Sequence, residues 1–143
     1  MNLQSTRHAA VLDELVNLLV PPLKERARVR VRGPFAASDD ELPAPDLAII
    51  FPGKHWTEHP ASAFLIVDVV EGAQQTERDP KRALYASAGV IEYWVVDIAS
   101  GIVLSHRSPS DGQYRNMWRF ERGDIIALAA FPDVILRVSD FLP

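Results

Sequence analysis

Three residues of this 143-residue chain carry side chains whose type contradicts their local setting. Asp68 interrupts the run Phe64-Leu65-Ile66-Val67-Asp68-Val69-Val70, where strand alternation puts it on one face with Phe64, Ile66 and Val70. An ionised carboxylate there is costly unless it is hydrogen-bonded, paired or bound to a metal. One reading is a buried Asp satisfied by nearby amides; the other is a functional acid. Lys81 falls in the first turn of a helix predicted over Lys81 to about Ala88, where the macrodipole disfavours a cation. It shares a helical face with Leu84, Tyr85 and Ala88, which turns it toward the sheet, although a lysine at a helix edge also snorkels to water. Asp46 opens the apolar run Leu47 to Phe51 directly after Pro45; alone it reads as a turn residue. If the strands beginning at Asp46 and ending near Asp68 pair, the two carboxylates converge. Two carboxylates suit a hard cation such as Mg²⁺, which takes few protein oxygens and keeps its waters. A neighbouring lysine then helps to orient and deprotonate a metal-bound water.

The elements that must position these residues follow from periodicity. Val11, Leu12, Leu15, Leu18 and Leu19 recur at helical spacing from His8 to about Arg26, with Pro21 and Pro22 expected to end or kink the helix. Residues 26–33 alternate Arg and apolar, a strand with Arg26, Arg28, Arg30 and Arg32 on one face and Ala27, Val29 and Val31 on the other. Leu47 to Phe51 and Ala63 to Val70 read as further strands, the second covered on both faces. A polar loop follows, and Asp79-Pro80 has the chemistry of an N-cap followed by the first helical residue. Gly89 ends that helix as a left-handed cap, and Ile91 to Ile98 is a second buried strand with Asp97 closing it. Turns at Ser100-Gly101 and Ser110-Asp111-Gly112 separate Ile102–His106 from Tyr114–Phe120, and short strands fill the rest to Val138. A helix between two buried strands predicts a βαβ unit. The predicted class is α/β with a mixed sheet.

Composition narrows the functions. The length suits one domain, residues 1–143. Without Cys there is no disulfide framework and no thiolate metal site. The chain start lacks an apolar signal segment, and no apolar run approaches the ~20 residues of a membrane helix, so a cytoplasmic protein away from membranes is expected. A net charge of −4 excludes binding nucleic acid by bulk charge but leaves local patches open. The arginine stripe is one such patch: Arg28, Arg30 and Arg32 either track phosphates or form a solvated edge that resists strand pairing. His55 and His59 flank Trp56 without a helix and with Pro60 following, so a zinc site is not supported. His8 lies near Leu12 on its helix, within reach of a site but at a position more typical of the surface. Glu92, Tyr93, Trp94 and Tyr85 read as core. Motifs for a Ser triad, a P-loop or a dinucleotide fold are absent.

Pro45-Asp46, then Asp68-Val69-Val70, then Lys81 resembles the metal site of the PD-(D/E)XK nuclease superfamily. The signature Lys81-x3-Tyr85…Gly89-Val90-x-Glu92-Tyr93-Trp94-x-x-Asp97 resembles the Uma-type "putative restriction endonuclease" family within it, over His8 to Phe141. The resemblance implies a restriction-endonuclease-like mixed β-sheet core flanked by helices, with a C-terminal β-hairpin extension. It implies Asp46 and Asp68 as metal carboxylates, the Val69 carbonyl as a third ligand, and Lys81 as the motif lysine moved to the following helix. The implied reaction is Mg²⁺-dependent hydrolysis of DNA phosphodiesters by water, with Mn²⁺ as a substitute; a homodimer is expected because cutting both strands commonly takes two sites. Three departures accompany it. Asp68 stands where the family favours Glu, Glu71 where it favours a small polar residue three positions later, which alternation puts on the face opposite Asp68, and most relatives carry an extra segment before the first helix. These departures keep open a catalytically inactive nuclease-fold module that binds a protein or nucleic acid. A dimerisation scaffold built on Trp118 and Phe120 is a third reading.

Overall fold

A computed structural model describes residues 5–72 and 79–143. The first helix, α1, runs Thr6–Leu23, and the Ser5 side chain caps it by accepting from the His8 amide at 3.0 Å. Its buried face is Val11, Leu12, Leu15, Leu19 and Leu23. The prolines lie in its last turn, and the helix stops at Leu23, short of the expected Arg26, with Lys24 in a left-handed conformation at φ 52°.

Eight strands follow: β1 (Arg28–Val31), β2 (Leu47–Ile50), β3 (Leu65–Val70), β4 (Glu92–Asp97), β5 (Ile102–Ser110), β6 (Gln113–Glu121), β7 (Ile125–Ala127) and β8 (Ile135–Arg137). A second helix, α2 (Asp79–Ser87), joins β3 to β4, and a short 3-10 turn at Val138–Asp140 follows β8. The first six strands form one sheet in chain order, and β7 and β8 form a separate hairpin. All neighbours in the large sheet are antiparallel except β3 and β4, which are parallel across α2 as the βαβ pattern predicts. Gly89 has φ 77°, so it ends the helix in the conformation a side chain would strain. The helix begins at Asp79, one residue before the expected first position. Residues 73–78 of the expected polar connection, and the Asp79 side chain with its expected N-cap role, lie outside the described residues.

The alternation of the central strands builds two cores. Leu47, Ile49, Leu65, Val67, Trp94 and Val96 pack against α1 and the β7–β8 hairpin. Ala48, Ile50, Ile66, Val70, Tyr93 and Val95 pack on the other face with Tyr85 and Val90 of the α2 region. Strands β2, β3 and β4 are buried along their whole length, which explains why their sequences read as nearly continuous apolar runs. Ile49 is fully buried in β2. Ile49→Val keeps the β-branch but removes one methylene, so urea denaturation is expected to show a loss of about 0.5–1.5 kcal/mol.

The arginine strand is shorter than its sequence pattern. Only Arg28–Val31 is strand, at the sheet edge. Arg26 instead bonds the Asp133 carboxylate and the Pro22 carbonyl, and Arg32 turns out of the strand at φ 55°. Val29 packs on the α1 core, whereas Val31, at the end of the strand, is half exposed. Toward the other edge, β5 extends past His106 through Pro109 to the turn, longer than predicted. Among the described residues no helix is long and apolar enough to cross a membrane.

Candidate active site

The ladder between β2 and β3 pairs Leu47 with Val67, and one further step of that register sets Asp46 opposite Asp68. Asp46 and Asp68 are 8% and 5% exposed. The Asp46 amide donates to Asp68 Oδ1 at 3.2 Å, and the Val69 amide donates to Asp46 Oδ2 at 2.8 Å. The two acids therefore hold one another's backbone at the point where the ladder runs out. The amide and carbonyl of one strand residue point to the same side, which also turns the Val69 carbonyl toward Asp46.

Each carboxylate has a further partner brought from elsewhere in the fold. Tyr93 of β4 donates its hydroxyl to Asp68 Oδ2 at 2.8 Å. His8, in the first turn of α1, places Nε2 3.2 Å from Asp46 Oδ2, and Arg32 NH2 lies 3.1 Å from Asp46 Oδ1. Tyr93 is fixed by its ring contacts: Tyr85 lies 5.1 Å away, and His106 stacks on it at 5.9 Å. His106 in turn meets Tyr114 at 6.0 Å. Burial first, then the nearby Glu92 charge, pushes the Tyr114 hydroxyl well above its usual range, so it stays a neutral donor to the Val90 carbonyl at 2.7 Å.

Lys81 lies partly buried in a cleft of about 300 Å³ with Glu41, Leu42, Pro43, Pro80 and Leu84. It is not among the partners described for either carboxylate. Glu71 falls just past the end of β3 and is exposed, apart from the paired acids. Arg28 and Arg30 spend donors on backbone carbonyls, of Gly53 and Pro34 respectively. Of the arginine stripe, only Arg32 reaches the paired acids.

The donor set decides which cation fits. Among the described residues no group of three His, Cys, Asp or Glu side chains forms a metal cluster, so a closed nitrogen-rich site is not what this arrangement offers. Two adjacent carboxylates beside a strand carbonyl are hard oxygen donors and leave the remaining coordination to water, the pattern that suits Mg²⁺ or Mn²⁺. Every carboxylate oxygen here accepts at least one hydrogen bond, and Asp46 Oδ2 faces both His8 Nε2 and the Val69 amide, so a cation held here shares these oxygens with their present partners.

The family model described as "Uma2: Putative restriction endonuclease" matches residues 1–139. The chain belongs to this family. A solved structure described as a putative nuclease belonging to DUF820, from Anabaena variabilis ATCC 29413, superposes with a TM-score of 0.79 at 17% identity. The match covers 98% of this chain and 82% of that one. At that identity it shows the fold, which is the restriction-endonuclease-like α/β arrangement with a small C-terminal hairpin. No curated protein matches the chain.

Sequence reasoning does not assign three members of the Asp46–Asp68 cluster to it. His8 reads as within reach of a site but more typical of the surface, Tyr93 as core, which it also is, and Arg32 as part of a stripe that tracks phosphates or forms a solvated edge; all three bond the paired acids. For His8 the available signal is its place one turn after the Ser5 cap, which pins the helix start against the end of β2. Tyr93→Phe keeps the ring packing but removes the donor to Asp68. Chemical denaturation is expected to show a loss of about 1–3 kcal/mol, the usual cost of orphaning a buried acceptor.

Proposed function

We propose that the protein is a metal-dependent endonuclease that hydrolyses DNA phosphodiesters. The observation that carries this is the cross-strand pairing of two nearly buried carboxylates, Asp46 and Asp68, at the end of the β2–β3 ladder within a nuclease-family fold. In this reading Asp46, Asp68 and the Val69 carbonyl hold Mg²⁺ or Mn²⁺. The cation supplies a bound water of lowered pKa and neutralises phosphate charge. The chain's own groups do the rest. His8 and the Val69 amide orient Asp46, Tyr93 orients Asp68, and Lys81 in the neighbouring cleft approaches the phosphate or the attacking water. Arg28 and Arg30, on the same sheet face as Ala48 and Ile50, contribute positive charge toward the DNA backbone.

A homodimer acting in the cytoplasm is part of the same proposal. Its support is the open edge of β6, where Met117 and Trp118 are both more than half exposed, and the absence of Cys. A non-catalytic module that binds nucleic acid or protein is the second reading, motivated by Asp68 in place of Glu and by Glu71 after β3.

Incubation of the protein with supercoiled plasmid and an oligonucleotide panel in Mg²⁺ or Mn²⁺ tests the proposal. Cleavage that EDTA stops and Asp68→Ala removes is expected, with linear product appearing alongside nicked product if two sites act together. Equal activity in wild type and Asp68→Ala, after contaminant controls, overturns the enzyme reading. Retarded but uncut DNA supports the binding module.

A further inference from the structure

Arg32 differs from every other arginine of its stripe. One step beyond the β1–β2 ladder, which ends on Val31 opposite Leu47, Arg32 stands opposite Asp46, as Asp68 does on the other side. Arg32, Asp46 and Asp68 are thus neighbours in one row across three strands. The pairing is physical: the Arg32 amide donates to the Asp46 carbonyl at 3.1 Å, and its NH2 donates to Asp46 Oδ1 at 3.1 Å. A left-handed φ of 55° in a non-glycine residue sets this turn, so the backbone conformation favours the contact at some cost. The Arg32 side chain is 50% exposed, whereas that of Asp46 is 12% exposed.

A guanidinium and a divalent cation do not share one carboxylate comfortably, because two positive groups a few ångströms apart repel. A half-exposed ion pair contributes little, at most about 1 kcal/mol, so a cation bound by two carboxylates displaces it readily. The backbone bond to Asp46 keeps the displaced side chain close. A guanidinium fork held there beside a cation is suited to the non-bridging oxygens of a phosphate.

We propose that Arg32 alternates between two partners: the Asp46 carboxylate when the paired acids hold no cation, and a DNA phosphate once a divalent cation is bound. The inference rests on Asp46 and Asp68 as the cation-binding pair. It makes the two ligands cooperative. Cation binding frees Arg32 for DNA, and DNA draws Arg32 away from Asp46, which tightens the cation; linkage requires the two effects to be equal.

The test compares wild type, Arg32→Met, Arg32→Lys and Asp68→Asn, each checked for folding by circular dichroism. Mn²⁺ affinity is measured by electron paramagnetic resonance without DNA. Affinity for a short duplex is measured by fluorescence anisotropy in Ca²⁺ and in EDTA. Arg32→Met is expected to bind Mn²⁺ about three- to fivefold tighter than wild type, since its competitor is gone. Its duplex affinity in Ca²⁺ falls by a similar factor, and the gain in DNA binding from Ca²⁺ that wild type shows shrinks or disappears. Arg32→Lys, with the charge but not the fork, falls between the two. Unchanged or weaker Mn²⁺ binding in Arg32→Met overturns the proposal. Wild type that binds no Mn²⁺, or Asp68→Asn that binds it as well as wild type, overturns the cation-pair reading itself and with it the inference. The two failures are therefore distinct.

Discussion

Asp68→Asn and Asp46→Asn are each expected to lower metal-dependent DNA cleavage at least about a hundredfold while leaving the protein folded. Both substitutions keep the shape of the side chain and one carbonyl oxygen, so part of each hydrogen-bond set survives. At Asp68 that oxygen is still able to accept from the Tyr93 hydroxyl or from the Asp46 amide. At Asp46 it is still able to accept from the Val69 amide. What disappears is one negative charge from a hard-oxygen pair, and with it the affinity for a divalent cation. The fold does not depend on that charge in the same way, because two nearly buried acids side by side repel, a cost that the Arg32 guanidinium offsets at Asp46. Thermal melting temperatures within a few degrees of wild type, beside collapsed plasmid cleavage, are the expected pair of measurements. A large drop in melting temperature would instead assign the acids a mainly structural role.

Glu92→Ala is expected to produce the largest stability loss, about 3–5 kcal/mol by urea denaturation, as for other buried charges whose partner is removed. Glu92 is fully buried. Its Oε2 accepts from Trp94 Nε1 at 2.6 Å, from Ser105 Oγ at 2.7 Å and from Arg107 Nε at 3.0 Å, with Arg107 NH2 at 2.9 Å. Its Oε1 accepts from the Ala129 amide at 2.9 Å, while Arg107 NH2 also reaches the Ala127 carbonyl at 2.6 Å. One carboxylate therefore ties β4 and β5 to the segment after β7. Alanine takes the acceptor from an indole, a hydroxyl and an amide together and removes the counter-charge of the Arg107 guanidinium. Glu92→Gln keeps the volume and loses the charge, so its cost is expected to fall well below that of alanine. Near-equal losses for the two would mean that charge rather than shape holds the network.

That Glu92 belongs to the family signature shows how a motif mixes roles. Within Glu92-Tyr93-Trp94, alternation sends Glu92 and Trp94 to the α1 face and Tyr93 to the face of Asp68. Glu92 and Trp94 hold the sheet to the hairpin, and Tyr93 holds the acid. Asp97, at the strand end, accepts from the Gly72 and Ala99 amides and from the Ser100 hydroxyl, which is the closing role its position suggests.

The sequence by itself determined the local features. Helical spacing placed α1, apolar runs placed β2, β3 and β4, and Gly89 placed the end of α2, because each of these is encoded by residues a few positions apart. Asp68 was legible as a misfit for the same reason: its valine neighbours define a buried strand without any tertiary information. The Lys81 to Asp97 pattern carried the family, and the family carried the nuclease-like fold. Tertiary structure alone decided which charges meet. Nothing local tells Arg32 that it will face Asp46, His8 that its helix start will abut β2, or Glu92 that its donors will come from β5 and residue 129. Those partners are fixed by strand order and register, which depend on contacts between residues far apart in the chain. The alternating arginines show the difference most plainly. As a sequence they form one uniform basic stripe; folded, they divide among Asp133, three backbone carbonyls and the paired acid Asp46.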